Sequence, residues 1–144
     1  MLLAYDPATN PLNNNEWAFP LTECVHVASM AMAIGTIVAV DLRLLGTGIP
    51  GRSAAQLSRE TEVWTLIGFV LVILTGMVIF TTDPVLYLHN ESFQAKMALL
   101  LAGLVYHYTL HKRAVQAGRG TLAAVVSLLI WASLVFSAIF IAFV

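Results

Sequence analysis

The residue with the clearest chemical potential is His26, an imidazole set in an apolar run from Pro20 to Leu45. Ionisable residues inside such runs are expensive to place in a membrane and are candidate functional residues by default. Glu23 lies three residues before His26, on the same face of a helix. Counting about 1.5 Å per residue from the middle of each run puts His26 and Lys96 at one depth, ~10 Å from the midplane. We therefore expect Glu23, His26 and Lys96 to form one polar cluster.

Three kinds of role suit this cluster. Histidine is a common axial ligand of haem iron, and a lysine beside it would balance the charge of a haem propionate. The same groups would also serve as a proton relay. In a purely structural alternative, Glu23 and Lys96 form an ion pair that joins two helices, with His26 hydrogen-bonded beside it. The residue types leave all three interpretations open.

The other histidines bear on whether one chain can hold a haem. His107 and His111 are spaced i, i+4 in the third apolar run, so they share a helix face. His26 and His107 differ by ~16 Å in depth, so they cannot bind one iron from opposite sides. The second ligand would then be His89, Met97 or a histidine from another subunit.

Copper is the alternative cofactor, because thiolate, imidazole and thioether groups suit Cu(I). The candidate donors besides His26 are Cys24, Met30, Met32, Met77 and Met97. Cys24 and His26 point to different helix faces, however, and methionine in a membrane helix usually packs against its neighbours.

The elements that position these residues follow from composition. The chain has 144 residues, of which 59% are hydrophobic and only 10% are charged, whereas a soluble domain has about 25% charged residues. This excludes a soluble enzyme and a nucleic-acid-binding protein. Four apolar runs are long enough to cross a bilayer: about 20–45, 63–81, 93–111 and 121–144. We predict one domain, 1–144, that is all-α and folds as an integral membrane four-helix bundle with up-down-up-down order.

Local signals refine these boundaries. Ser53 is a candidate N-cap for a short polar helix from Ala54 to Glu62, and Asn90 begins a candidate cap for the third span. Glycines inside the runs are expected to allow close contact between helices. They are Gly35, Gly68, Gly76 and Gly103.

Positive charge predicts the orientation. Of the seven Lys and Arg residues, six lie in or beside two connections. They are Arg43, Arg52, Arg59, Lys112, Arg113 and Arg119. The positive-inside rule places the 46–62 and 112–120 connections in the cytoplasm and both termini outside.

Three sequence segments carry a recognisable pattern. They are Phe19-Pro20-x-x-Glu23-x-x-His26 followed by Gly35, then Asp41-Leu42-Arg43-Leu44-Leu45-Gly46, then Asn90-x-x-Phe93-Gln94-x-Lys96-Met97. Together they resemble an uncharacterised family of small bacterial four-span membrane proteins, over roughly residues 17 to 110. The resemblance implies a four-span fold in the bacterial inner membrane and carries no activity with it. In architecture the chain is more distantly similar to cytochrome b-like and copper-resistance membrane proteins.

The leading functional hypothesis is a membrane-embedded redox subunit that holds haem b near the outer face, with His26 as the best ligand. The candidate cofactor-binding residues are His26, Lys96, Glu23, Met97, His107 and His111, and the candidate metal ligands are His26 and His89. The expected partners are membrane lipid, other membrane subunits or a second copy, and quinone or a periplasmic redox protein. A non-catalytic structural or assembly subunit and a copper-handling protein are the alternatives.

Overall fold

The computed structural model describes residues 6–48, 50–118 and 120–143, and the regular secondary structure within these ranges is all helical. Within these ranges it contains six α-helices: α1 (Ala18–Leu44), α2 (Ala54–Phe80), α3 (Pro84–His89), α4 (Glu91–Tyr106), α5 (Lys112–Gln116) and α6 (Thr121–Phe140). Short 3₁₀ turns at Pro7–Thr9 and Ile141–Phe143 lie near the ends of the chain. The prediction of an all-α protein is confirmed.

Three helical segments are long and apolar enough to cross a membrane: Ala18–Leu44, Ala54–Phe80 and Thr121–Phe143. Only 22–33% of the most apolar stretch of each is buried inside the chain. Most of their apolar side chains therefore face outward, which would promote aggregation in water but suits contact with lipid. These are the properties of a membrane protein.

The third predicted span is part of a longer helical rod. A π-helical turn, His107–His111, joins α4 to α5. His107, His111 and Lys112 all have right-handed helical backbone angles, so the helix continues without a break from Glu91 to Gln116. We call this segment the α4–α5 rod.

The two predicted N-caps are confirmed, whereas the helix boundaries differ from the predicted ones. The Ser53 hydroxyl accepts a hydrogen bond from the Gln56 amide (3.1 Å), and the Asn90 side chain accepts one from Phe93 (2.9 Å). The polar segment after Ser53 is the first part of α2, because it continues into the apolar segment with no break. Helix α3, which Asp83 caps by accepting from the Leu86 amide, was not predicted.

Consecutive long rods run in opposite directions. The Asn10 side chain, before α1, donates to the Thr81 carbonyl at the end of α2 (2.7 Å). The Asn90 side chain, before α4, donates to the Ile141 carbonyl after α6 (3.0 Å). Helix α1 packs along α2 and also contacts α6, while α4 packs along α6. The central core consists of Ala33, Ile37, Phe69, Trp131 and Leu134.

The tightest contact between helices is at Gly68. A Cβ atom at this position would lie 2.8 Å from the Ala33 Cβ and 2.9 Å from the Ser29 carbonyl oxygen. Gly68→Ala should therefore lower the free energy of unfolding by about 1–3 kcal/mol, because α1 and α2 would have to separate. Unfolding of the purified protein in detergent measures this loss.

Gly35→Ala is the matched control. No atom of the described residues lies within 4 Å of a Cβ built at Gly35, so the interpretation of this glycine as a contact residue is wrong. Alanine there should be neutral or stabilise α1 by up to about 1 kcal/mol. Equal losses for the two variants would show that the α1–α2 approach does not depend on Gly68.

Candidate functional site

Polar side chains that are buried or partly buried form two clusters where α1 meets the α4–α5 rod. The His26 cluster consists of His26, Thr75 and Lys96, and the His111 cluster consists of Asp41, His107 and His111. Along α1 the two clusters are about 22 Å apart. The central core separates them.

In the His26 cluster, the hydrogen bonds assign the protons of the imidazole. His26 is 7% exposed, and its Nδ1 lies 2.8 Å from the Thr75 hydroxyl oxygen. That hydroxyl donates its single proton to the Leu71 carbonyl (2.6 Å), so it accepts from His26 Nδ1–H. The Lys96 ammonium donates to Nε2 over 3.3 Å. His26 is therefore a neutral imidazole that carries its lone pair on Nε2.

Gly76 fixes the position of the His26 ring. A Cβ at this glycine would lie 3.2 Å from the His26 Cε1 atom, so any larger residue would push against the ring. The ring is thus held between α2 on one side and Lys96 on the other. This places Nε2 within the apolar part of α1, where a base of this kind is rare.

Glu23 lies outside this cluster. It is exposed at the surface of α1, and its charge acts on Tyr87 in α3. Burial raises the pKa of Tyr87, hydrogen bonding with Thr82 opposes that rise, and the charges of Glu23 and Asp83 add to it.

The Glu23–Lys96 ion pair required by the structural alternative is not formed. The ion pairs within the described segments are Arg52–Glu60, Lys112–Glu62 and Asp41–His111. Lys96 bonds instead to the uncharged His26 ring.

The other predicted ligands lie apart from His26. Met97 is 45% exposed on the outside of α4, and Cys24 is exposed on α1. His89 is exposed in α3, where its Nδ1 bonds to the Val85 carbonyl of the same helix (2.8 Å). Among the described residues, no three His, Cys, Asp or Glu side chains are close enough together to hold a metal ion. The predicted donors for copper are therefore not gathered around one point in this chain.

The His111 cluster is built around a buried acid–base pair. Asp41 is fully buried and His111 is 1% exposed, and Asp41 Oδ1 lies 2.5 Å from His111 Nε2. The His107 ring stacks on the His111 ring, with centroids 5.2 Å apart. The Phe69 ring also contacts His107, in an edge-to-face arrangement with centroids 6.4 Å apart.

A narrow cleft opens beside His107 and His111, between α1, α2 and the α4–α5 rod. It has room for about one water molecule. The hydroxyls of Thr36 and Thr65, which are 2.7 Å apart, lie along it. The ion pair between Lys112 and Glu62 is partly exposed, which places it at the open side of the cleft.

Comparison with known proteins places the chain in a family without assigning an activity. A family model described as DUF6644, a family of unknown function, matches residues 18–144. The chain belongs to the DUF6644 family. The predicted resemblance to an uncharacterised family is confirmed at this level. The matched segment begins with α1 and includes both clusters, so each lies inside the DUF6644 region. Neither the curated proteins nor the solved structures yield a match.

Two side-chain contacts in these clusters of the DUF6644 protein were not predicted from its sequence. The first is the contact of Thr75, a neutral residue, with His26, which depends on how α2 is rotated about its axis. The second is the pairing of Asp41 with His111. The helix rise places both of these at ~12 Å on the same side of the midplane, so equal depth was the signal that predicts their contact.

Proposed function

We propose that this DUF6644 protein is a membrane-embedded electron-transfer subunit that binds haem b through Nε2 of His26. The observation that supports this most is the hydrogen bond from His26 Nδ1–H to Thr75. A histidine that ligates a metal almost always donates its other ring N–H to an oxygen, which fixes the tautomer and the ring orientation. Thr75 supplies that oxygen, and Nε2 is left as the base.

Lys96 has a second role in this proposal. Its side chain is long and flexible, and it bonds to Nε2 through the end of that chain. With haem bound at His26, the Lys96 ammonium would leave Nε2 and pair with a haem propionate. Its positive charge would then lie next to an anion, as a charge inside a membrane protein requires.

A haem at His26 would need a further ligand from another chain, because the other histidines of the described segments are in α3 or at the π turn. Apolar side chains that neighbour His26 and Lys96 in the sequence are exposed, namely Val25, Val27 and Met97. A second copy or another membrane subunit would cover these side chains and supply the ligand. The haem would serve electron transfer to quinone or to a periplasmic redox protein.

The protein crosses the bacterial inner membrane four times, with both termini outside. The α4–α5 rod makes the third crossing, since its 26 residues, Glu91–Gln116, exceed about 30 Å in length and Lys96 is the one charged residue between Ser92 and Tyr106. The positively charged connections lie in the cytoplasm.

Cysteine labelling tests these crossings. In a Cys24→Ser background, single cysteines replace Asn14, Thr47, Leu88 or Ala117, all of which are exposed. An impermeant thiol reagent added to intact cells should label positions 14 and 88 and leave positions 47 and 117 unlabelled. If positions 88 and 117 react from the same side, the α4–α5 rod does not cross and the proposed topology is wrong.

Haem titration tests the proposed function. Cofactor-free protein in lipid nanodiscs is titrated with haem b while the Soret band is followed. The proposal expects saturable binding with a fixed ratio of haem to protein chains. Haem that only partitions into the lipid, with no saturation and no difference from empty nanodiscs, would contradict it. Metal analysis of the same protein separates haem iron from copper.

The second candidate function is a non-catalytic structural or assembly subunit. The observation that favours it is that both ring nitrogens of His26 already have partners, Thr75 and Lys96. In this interpretation the bonds only hold α1, α2 and α4 together. It predicts that His26→Ala weakens the fold or its assembly, and that no form of the protein binds haem specifically.

A further inference from the structure

Three buried polar atoms of the His111 cluster have no hydrogen-bond partner among the described residues. They are Asp41 Oδ2, His107 Nδ1 and His111 Nδ1. Burying a polar atom without a partner costs free energy, so such atoms are few in native structures and each requires an explanation. Three of them in one cluster, beside a cleft with room for about one water molecule, indicate a site that exchanges a small polar species.

The hydrogen bond between Asp41 and His111 indicates that the small species is a proton. The Asp41 carboxylate can only accept, so His111 donates through Nε2–H. The lone pair of a neutral His111 is then on Nδ1, which is buried and has no partner in the described part of the chain. With His111 neutral, the pair carries one negative charge in an apolar interior. A proton at Nδ1 makes an imidazolium beside the carboxylate and removes that net charge, which a medium of low polarity favours.

Both histidines belong to the π-helical turn. Within it the rings of His107 and His111 are stacked, and both Nδ1 atoms are buried. π turns within α-helices occur frequently at functional sites. His107 and His111 both line the cleft, so a water molecule in it lies beside both rings.

The other titratable groups around the cleft already have partners, so the Asp41–His111 pair is the group that takes the proton. Glu62 of α2 and Lys112 of α5 neutralise each other at the open side of the cleft. The Tyr106 hydroxyl donates to the Ala123 carbonyl (3.0 Å), and Tyr108 stands edge-on to His107 with Lys112 near its ring. Helix α6 contains no acidic or basic residue.

We infer that the His111 cluster is a proton-binding site, in which His111 Nδ1 takes one proton from water in the cleft while Asp41 holds Nε2–H. The proton comes from hydronium or from a water molecule that releases hydroxide to the aqueous side, so no other reactant is needed. This proton-binding site does not depend on whether a cofactor binds at His26.

The inference is tested by nuclear magnetic resonance of the full chain in nanodiscs, with ¹⁵N-labelled histidine. Variants with glutamine at single histidines assign the signals. Spectra are recorded as the pH is lowered over one fixed range. In the wild type, His111 should show the Nε2–H tautomer and gain a second proton at Nδ1. In Asp41→Asn the shape is kept but the charge is lost, so His111 should take up this proton only at a lower pH than in the wild type. His89, exposed on α3, is the control and should take up its proton equally in both proteins.

A His111 signal that stays constant across the range in the wild type, in either protonation state, would overturn the inference. So would a folded Asp41→Asn variant whose His111 signals match the wild type. If Asp41→Asn does not fold, Glu62→Gln provides the second test. It leaves the buried pair intact, so His111 should keep the Nε2–H tautomer and still take up a proton, and loss of both would overturn the proposed role of Asp41.

Discussion

His26→Ala is expected to abolish specific haem binding, so that no saturable Soret band appears on titration. The variant removes Nε2, the one buried base of the His26 cluster that has its tautomer fixed for ligation. Lys96 loses its partner at the same time, so the fold of the variant must be checked by circular dichroism. Absorption spectra of the wild type and the variant, recorded at equal protein concentration, make the comparison.

Two further variants separate ligation from folding. Thr75→Val keeps the shape of the side chain and removes the oxygen that accepts from Nδ1–H, so haem affinity should fall about 10–100-fold. His89→Ala should bind haem like the wild type, because His89 bonds only within α3. Unchanged binding in a folded His26→Ala variant would rule His26 out as the ligand.

Asp41→Ala is expected to lower the free energy of unfolding by about 3–5 kcal/mol. The reason is that His111 is 1% exposed and would be left in the interior without the carboxylate that accepts its Nε2–H. Unfolding in mixed detergent, followed by circular dichroism, measures the loss. The partly exposed Glu62–Lys112 pair gives a contrast, since Glu62→Gln should change stability by about 1 kcal/mol or less.

A double-mutant cycle shows whether the loss of stability comes from the contact between Asp41 and His111. Asp41→Ala and His111→Ala should each be strongly destabilising, and the double variant should lose less than the sum of the two, because neither side chain is then left alone. Strictly additive losses would mean that the contact between Asp41 and His111 contributes little to the fold.

The sequence predicts helices and depths well because both depend on local patterns. Ser53 and Asn90 cap helices as expected, since capping involves residues only three apart in the chain. His26 and Lys96 meet because the helix rise alone places them at one depth. The helix rise likewise places Asp41 and His111 at one depth. Depth alone does not choose between His111 and Arg43, the nearest cation to Asp41 along the chain, and the Arg43 side chain bonds to the Arg52 carbonyl.

Features that depend on helix rotation are beyond a single sequence. Gly35 and Gly68 look alike in an apolar run, but of the two only Gly68 faces another helix. Thr75 is one of several threonines in α2, and only its orientation brings it to His26. The π turn adds a residue to one turn of the rod and rotates the helix beyond it, and no residue type in His107–His111 indicates such a turn.

The most direct measurement is the visible absorption spectrum of freshly purified protein, oxidised and then reduced with dithionite, with a pyridine haemochrome assay on the same sample. We predict a b-type spectrum that sharpens on reduction in the wild type and is absent from His26→Ala. A flat visible spectrum from folded wild-type protein that also fails to bind added haem would contradict the proposed haem site. The bonds of His26 to Thr75 and Lys96 would then serve only to hold the helices together.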